Sequence, residues 1–165
     1  GLRNDLGWSA RHDVVAAVAE AHRRAPDAPV VVYGTSLGAA AALFAARALG
    51  HEVAAYVLAV RRRTRRYLPP IVEALAYHSL ATGGRLALPH VDDIRPADAA
   101  RGLSTRARVL IVAGGDDDRA PPSDARAIAA HAPHATVLVV DGLDHGDIGG
   151  LVTRDAWREV LDLLP

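Results

Sequence analysis

The amino-acid sequence predicts an α/β domain with a mainly parallel sheet and flanking helices, and two observations carry that prediction. Three runs of consecutive apolar, mostly β-branched residues occur at 29–34, 107–115 and 135–142, and a weaker one at 52–60. Continuous rather than alternating apolar residues are typical of strands covered on both faces of a parallel sheet. Helical patterns lie between these runs, so strand and helix alternate and crossover connections are expected.

Four segments have the spacing and the end signals of helices. The first follows Ser9 and is closed by Pro26, and the second reads LGAAAALFAARAL and ends at Gly50, a residue suited to a C-cap. The third opens on the proline pair 121–122, and the fourth follows Thr153, a residue that favours an N-cap. Together with the strands, they predict one domain over residues 1–165.

The composition is that of an ordinary globular protein. The 19 basic and 19 acidic residues balance, so no nucleic-acid partner is expected. The absence of cysteine excludes disulfides and thiolate nucleophiles. No run approaches the roughly 20 apolar residues of a membrane span, and the expected location is the cytoplasm.

The segment 61–98 interrupts the alternation of strand and helix. It begins with the basic run RRRTRR, contains a Pro-Pro and a Gly-Gly pair, and has no convincing strand. We interpret it as a lid inserted over one edge of the sheet. The basic run predicts a solvated face, with attraction for acidic substrates or membrane headgroups as the alternative.

The stretch YGTSLG places Ser36 between a buried strand and an alanine-rich helix. Reacting groups collect beyond the carboxyl ends of parallel strands. A tight strand-to-helix turn strains its central residue and brings two backbones close, so we expect glycine to be required at both Gly34 and Gly38. The N–H of Leu37, at the positive end of the helix, would stabilise an oxyanion. This is the G-x-S-x-G nucleophile elbow in its strand and helix context.

These residues resemble the elbow of the α/β-hydrolase family, in which the chain order is serine, acid, histidine. The resemblance implies a catalytic triad of Ser36, Asp117 and His145. The stretch VLIVAGGDDD is similar to the strand and loop that carry the acid, with Gly114 and the proline pair 121–122 in the matching positions. The stretch VLVVDGLDHGD is similar to the last strand and the loop that carries the histidine.

Three successive aspartates leave the identity of the acid open. Asp117 fits the pattern best, Asp118 is the alternative because a shift of one residue also leaves a proline in register, and Asp116 is third. The same run has oxygen ligands of the kind that a divalent cation prefers. No second acidic cluster is placed to complete such a site, so no metal is expected.

The implied activity is hydrolysis of a small-molecule carboxylic ester, amide or thioester through an acyl-serine intermediate, without a cofactor. His145 would take the proton of Ser36 and return it to the leaving group, while Asp117 holds the imidazole tautomer. Residues 92–118 are similar to bacterial serine hydrolases of the serine aminopeptidase and dienelactone hydrolase-like groups. The alternative function is a non-catalytic half-domain of this fold that acts as a binding or assembly module.

A complete member of the family has several strands before the helix that precedes the elbow. Nothing before Arg11 reads as those strands, so we expect either an N-terminally incomplete domain or a short variant whose oxyanion hole rests on Leu37 alone. A sheet that lacks its first strands exposes an edge, which predicts a homodimer formed through that edge.

Overall fold

The computed structural model describes Asp5, residues 7–59, 94–117, 120–132 and 134–143, and Arg158 and Asp162. Its strands are β1 (Val31–Thr35), β2 (Ala55–Ala59), β3 (Arg108–Gly114) and β4 (Ala135–Val140). They form one sheet in that order, and every pair is parallel. The predicted α/β architecture is therefore confirmed, including the weaker strand.

The helices that the structure describes are α1 (Arg11–Arg24), α2 (Leu37–Leu49), α3 (Pro96–Ala99) with a following 3₁₀ helix (Ala100–Gly102), and α4 (Pro122–Ala129). As predicted, α2 ends at Gly50, which has a φ of +53° and donates its N–H to the carbonyl of Ala46 at 3.0 Å. Helix α1 follows Ser9 as predicted; its N-cap residue is Ala10, and the hydroxyl of Ser9 hydrogen-bonds the Asp5 carboxylate. No described helix is long and apolar enough to span a bilayer.

The larger core lies between one face of the sheet and helices α2 and α4. Most of the alanines of α2 are buried, and they are small, so the helix packs closely on Tyr56, Leu58 and Ile111 of the sheet. Helix α1 packs on α2 and adds Val18 to the same core. This packing fixes the position of the amino end of α2, where the serine turn lies.

A smaller core covers the opposite face of the sheet. It contains Val57, Leu110, Val112 and, from the loop after β4, Leu143, all of them buried. Leu143 is completely buried although it lies outside the strand. The loop that continues toward His145 is therefore anchored to the sheet by a core residue.

In the described sheet, β1 pairs only with β2 and forms one edge. Val31 and Tyr33 on this strand are 37% and 45% exposed. The homodimer expected at this edge stays a prediction. Of the insertion 61–98 only residues 94–98 are described, and of the helix predicted after Thr153 only Arg158 and Asp162, both in helical backbone.

Candidate active site

Ser36 is the single residue between the end of β1 and the start of α2. Its φ of +50° and ψ of −114° lie in a region that residues other than glycine rarely adopt. Its N–H donates to the carbonyl of Ala59 at 3.0 Å, and its own carbonyl accepts the N–H of Ala40 at 3.2 Å. Strand β2 on one side and the first turn of α2 on the other hold this strained conformation, which is the sign of a constrained functional position.

The strand and the helix cross closely at Gly34. A Cβ on Gly34 would lie 2.7 Å from both the carbonyl carbon and the carbonyl oxygen of Gly38, a distance that no side chain tolerates. A Cβ on Gly38 would meet no described atom within 4 Å. The predicted steric requirement for glycine therefore holds at position 34, and no described neighbour imposes it at position 38.

The N–H of Leu37 is the first of the helix N–H groups that have no acceptor inside α2. Leu37 is the first residue of this 13-residue helix, and its side chain is 43% exposed. The unpaired N–H groups and the helix dipole make this end of α2 favourable for negative charge. These features support the oxyanion role predicted for the Leu37 N–H, which stays a prediction.

Burial separates Asp117 from its neighbour Asp116. Asp117 is only 2% exposed, and its Oδ1 accepts the N–H of Ala120 at 2.9 Å, whereas Asp116 is exposed to solvent. A buried carboxylate is tolerated only where it is hydrogen-bonded or paired. Asp117 therefore has the environment expected of a positioned acid, and the alternative, Asp118, lies outside the described residues.

The loop after β4 is bonded to the loop that carries the aspartates. The N–H of Gly115 donates to the carbonyl of Val140 at 2.8 Å, and the N–H of Asp116 donates to the carbonyl of Leu143 at 3.2 Å. The two loops therefore meet through their backbones. His145 follows Leu143 by two residues in the sequence and lies outside the described residues.

Ser36 and Asp117 lie beyond the same edge of the sheet. Thr35 is in register with Ala59, and Ala59 with Val112, so the carboxyl ends of these strands are level. Strand β2 lies between β1 and β3, and two strand spacings separate the serine and acid loops by about 10 Å. A side chain between them is needed to connect the hydroxyl with the carboxylate.

Two cavities lie at opposite ends of the strands and differ in size and in the residues that line them. The one beside Ser36 has a volume of about 80 Å³ and is lined by apolar residues from α2, β2, α3 and α4. The larger one, about 190 Å³, lies around the amino ends of β2, β3 and β4 and includes Arg106 and His134. The larger cavity is at the edge away from the serine, so the strained turn rather than cavity size identifies the candidate site.

The described residues include a serine–histidine contact that lies away from this edge. His51 Nδ1 and Ser104 Oγ are 2.7 Å apart, and Ser104 Oγ also accepts the N–H of Arg106 at 3.2 Å. In the described residues no carboxylate hydrogen-bonds His51. Ser104 is a buried residue before β3, and its hydroxyl accepts the backbone N–H two residues later in the local turn, as serine side chains often do.

No group of three or more His, Asp or Glu side chains in the described residues is arranged to hold a metal ion.

Three neighbours of the candidate site have no signature in the sequence. The carbonyl of Ala59 and the N–H of Ala120 are backbone groups that any residue supplies, and Ile128 reaches the cavity beside Ser36 from a helix 92 positions later in the chain.

No family model and no curated protein sequence matches the chain. Solved structures do match it in fold. The monoacylglycerol lipase of Paleococcus ferrophilus is 16% identical with a TM-score of 0.62, over 93% of this chain and 74% of that one. An esterase of Thermogutta terrifontis is 16% identical with a TM-score of 0.56, over 90% and 71%. The alpha/beta hydrolase enzyme MGS-MChE2, from a lagoon-sediment metagenome, is 19% identical with a TM-score of 0.56, over 92% and 71%.

Proposed function

Because this chain has the α/β-hydrolase fold, we propose that it is a serine hydrolase that cleaves carboxylic esters, and by the same chemistry amides or thioesters. The observation that carries the proposal is the strained conformation of Ser36 at the carboxyl edge of the parallel sheet. The buried carboxylate of Asp117 beyond the same edge supports it. Both features are expected where a nucleophile and its acid are positioned for reaction.

In the proposed reaction the Ser36 hydroxyl oxygen attacks the carbonyl carbon of the ester while His145 takes the hydroxyl proton. The Leu37 N–H hydrogen-bonds the negatively charged oxygen of the tetrahedral intermediate. The carbon–oxygen bond then breaks, His145 gives its proton to the departing alcohol, and the acyl group stays on Ser36. A water molecule, deprotonated by His145, then attacks the acyl carbon. The bond from this carbon to the serine oxygen breaks, His145 returns the proton to Ser36, and the acid leaves. Asp117 orients the imidazole and stabilises its charged form.

We also propose that residues 61–98 form a lid beside this site. Pro96, near the end of the segment, lines the cavity that contains Ser36. The segment follows the carboxyl end of β2, which lies at the edge where Ser36 lies. A lid in this position would limit the access of bulk solvent to the site while the substrate is bound.

A fluorophosphonate probe tests the nucleophile directly, because it phosphonylates only an activated serine. We expect intact mass spectrometry to show one adduct on the wild type and none on Ser36→Ala. Ser104→Ala is the matched control, because Ser104 is the described serine with a histidine beside its hydroxyl. It should be labelled like the wild type.

The same three proteins are then compared on p-nitrophenyl acetate. Wild type and Ser104→Ala should release nitrophenol at equal rates, and Ser36→Ala only at the rate of buffer. Labelling that persists in Ser36→Ala, or a wild type that is neither labelled nor active, contradicts the proposal. The second outcome would favour the non-catalytic binding module.

A further inference from the structure

We propose that the cavity beside Ser36 is the acyl pocket and that its size restricts the enzyme to esters of short acids, from acetyl to butyryl. The inference rests on the proposed hydrolase function and adds the substrate class to it. It is carried by the volume and the lining of the cavity, neither of which involves Asp117 or His145.

The lining of this cavity is apolar apart from the serine. It consists of Ser36 with Ala39, Ala40 and Leu43 of α2, Leu58 of β2, Pro96 of α3 and Ile128 of α4. Among the described lining residues there is no charged residue and no polar residue other than Ser36. Such a wall fits a hydrocarbon chain and offers no partner to a charged or hydroxylated one.

The position of the cavity makes it a pocket for the acyl side of an ester. Ser36 forms part of its wall, and the residues one turn further along α2, Ala39 and Ala40, form the adjoining part. In the acyl intermediate the acyl chain is bonded to the serine oxygen. The cavity therefore adjoins the residue to which the acyl chain is attached.

The volume sets the chain length. An apolar protein cavity of about 150 Å³ holds benzene, which has six carbons. The cavity beside Ser36 has about 80 Å³, which corresponds to about three carbons by that comparison. Acetyl, propionyl and butyryl groups place one, two and three carbons beyond the carbonyl, and a hexanoyl group exceeds the space.

The lining residues allow the pocket to be enlarged and filled. Ile128 is half-buried, and truncation to alanine adds volume on the α4 side. Ala40 is also half-buried, and its replacement by leucine adds three carbons on the α2 side while keeping the backbone hydrogen bond to Ser36. Val15 of α1 is a half-buried residue packed against the same core but outside the cavity lining, so Val15→Ala controls for core truncation.

The experiment measures kcat/KM for p-nitrophenyl acetate, butyrate, hexanoate and octanoate. In the wild type we expect an increase of about fourfold for each methylene up to butyrate, from the burial of that group. A fall of about tenfold is expected at hexanoate, where the chain overfills the pocket. Ile128→Ala should move the optimum to hexanoate, Ala40→Leu should lower the butyrate to acetate ratio about tenfold, and Val15→Ala should keep the wild-type profile.

Two outcomes overturn the inference in distinguishable ways. If the wild type is labelled at Ser36 and hydrolyses octanoate as fast as butyrate, or if neither pocket variant changes the profile, the acyl pocket is elsewhere while the hydrolase function stands. If no ester is hydrolysed and Ser36 is not labelled, the proposed function fails, and the substrate class with it.

Discussion

The Cα of Gly114 lies directly against the carbonyl of Leu143: a Cβ on Gly114 would be 2.2 Å from that oxygen and 3.3 Å from the Cβ of Asp117. Gly114 is the last residue of β3, and Leu143 belongs to the loop after β4. The loop with the candidate acid and the loop that leads to His145 are therefore in backbone contact. Glycine at position 114 makes that contact sterically feasible.

The first prediction follows from this contact. Gly114→Ala should lower the free energy of unfolding by about 1–3 kcal/mol and reduce esterase activity, because the new methyl group displaces the Leu143 carbonyl. Urea denaturation and the acetate assay measure the two effects. Gly38→Ala is the control: its methyl group meets no described atom, and alanine should stabilise α2 by up to about 1 kcal/mol. A Gly114→Ala protein as stable as the wild type would contradict the backbone contact.

The second prediction concerns the acid. Asp117→Asn should lower kcat by about 10⁴-fold, the effect of the equivalent change in a serine-histidine-aspartate triad, while the buried hydrogen bond from Ala120 is kept by the amide oxygen. Asp116→Asn, at the exposed neighbour, should keep kcat within about threefold of the wild type, as surface changes usually do. Asp118→Asn is measured beside them. A larger loss in Asp118→Asn than in Asp117→Asn would transfer the role to the alternative acid.

The third prediction concerns the strain at Ser36. Ser36→Gly and Ser36→Ala should both be inactive, but the glycine variant should be the more stable of the two by about 1 kcal/mol. Glycine adopts the φ of +50° without strain, whereas alanine keeps the cost of that conformation. Thermal and urea unfolding of the two variants provide the comparison. Equal stability would mean that the turn is not strained in solution.

The fourth prediction concerns Tyr56, whose buried hydroxyl has no hydrogen-bond partner among the described residues. Removing an unsatisfied buried hydroxyl should make Tyr56→Phe more stable than the wild type by about 1 kcal/mol at neutral pH. Burial also raises the pKa of Tyr56 to about 12 from 10.0. Between these two values the unfolded tyrosine ionises and the folded one does not, so the wild type loses about 1.4 kcal/mol of stability per pH unit from this group.

The advantage of Tyr56→Phe should therefore grow as the pH rises from 10 toward 12. Urea denaturation of both proteins across this range measures the difference in their free energies of unfolding. Groups that titrate in both proteins contribute equally to the two values and do not affect this difference. Tyr33→Phe is the matched comparison: Tyr33 is 45% exposed, and burial raises its pKa less than that of Tyr56, so a smaller dependence on pH is expected. A constant difference between Tyr56→Phe and the wild type would show that the Tyr56 hydroxyl reaches solvent.

Local residue patterns were sufficient to predict the parallel sheet and the turn that contains Ser36. Continuous apolar runs predict covered parallel strands, because a strand between two helical layers has no face for polar residues. The G-x-S-x-G turn was recognisable because the close approach of two backbones at Gly34 requires a glycine there, and that glycine is visible in the sequence. One detail of the same kind was not predicted correctly, the steric freedom at Gly38, because it depends on which atoms lie nearby.

By itself, the sequence determined the order of strands and helices and placed Ser36 at the carboxyl edge of the sheet, because these features depend on neighbouring residues and on strand direction. Only the tertiary structure distinguished buried Asp117 from exposed Asp116 and formed a pocket from Ser36, Pro96 and Ile128. Burial and cavity shape arise from contacts between segments that are distant in the chain. No local pattern of residue types encodes such contacts, so they follow from packing alone.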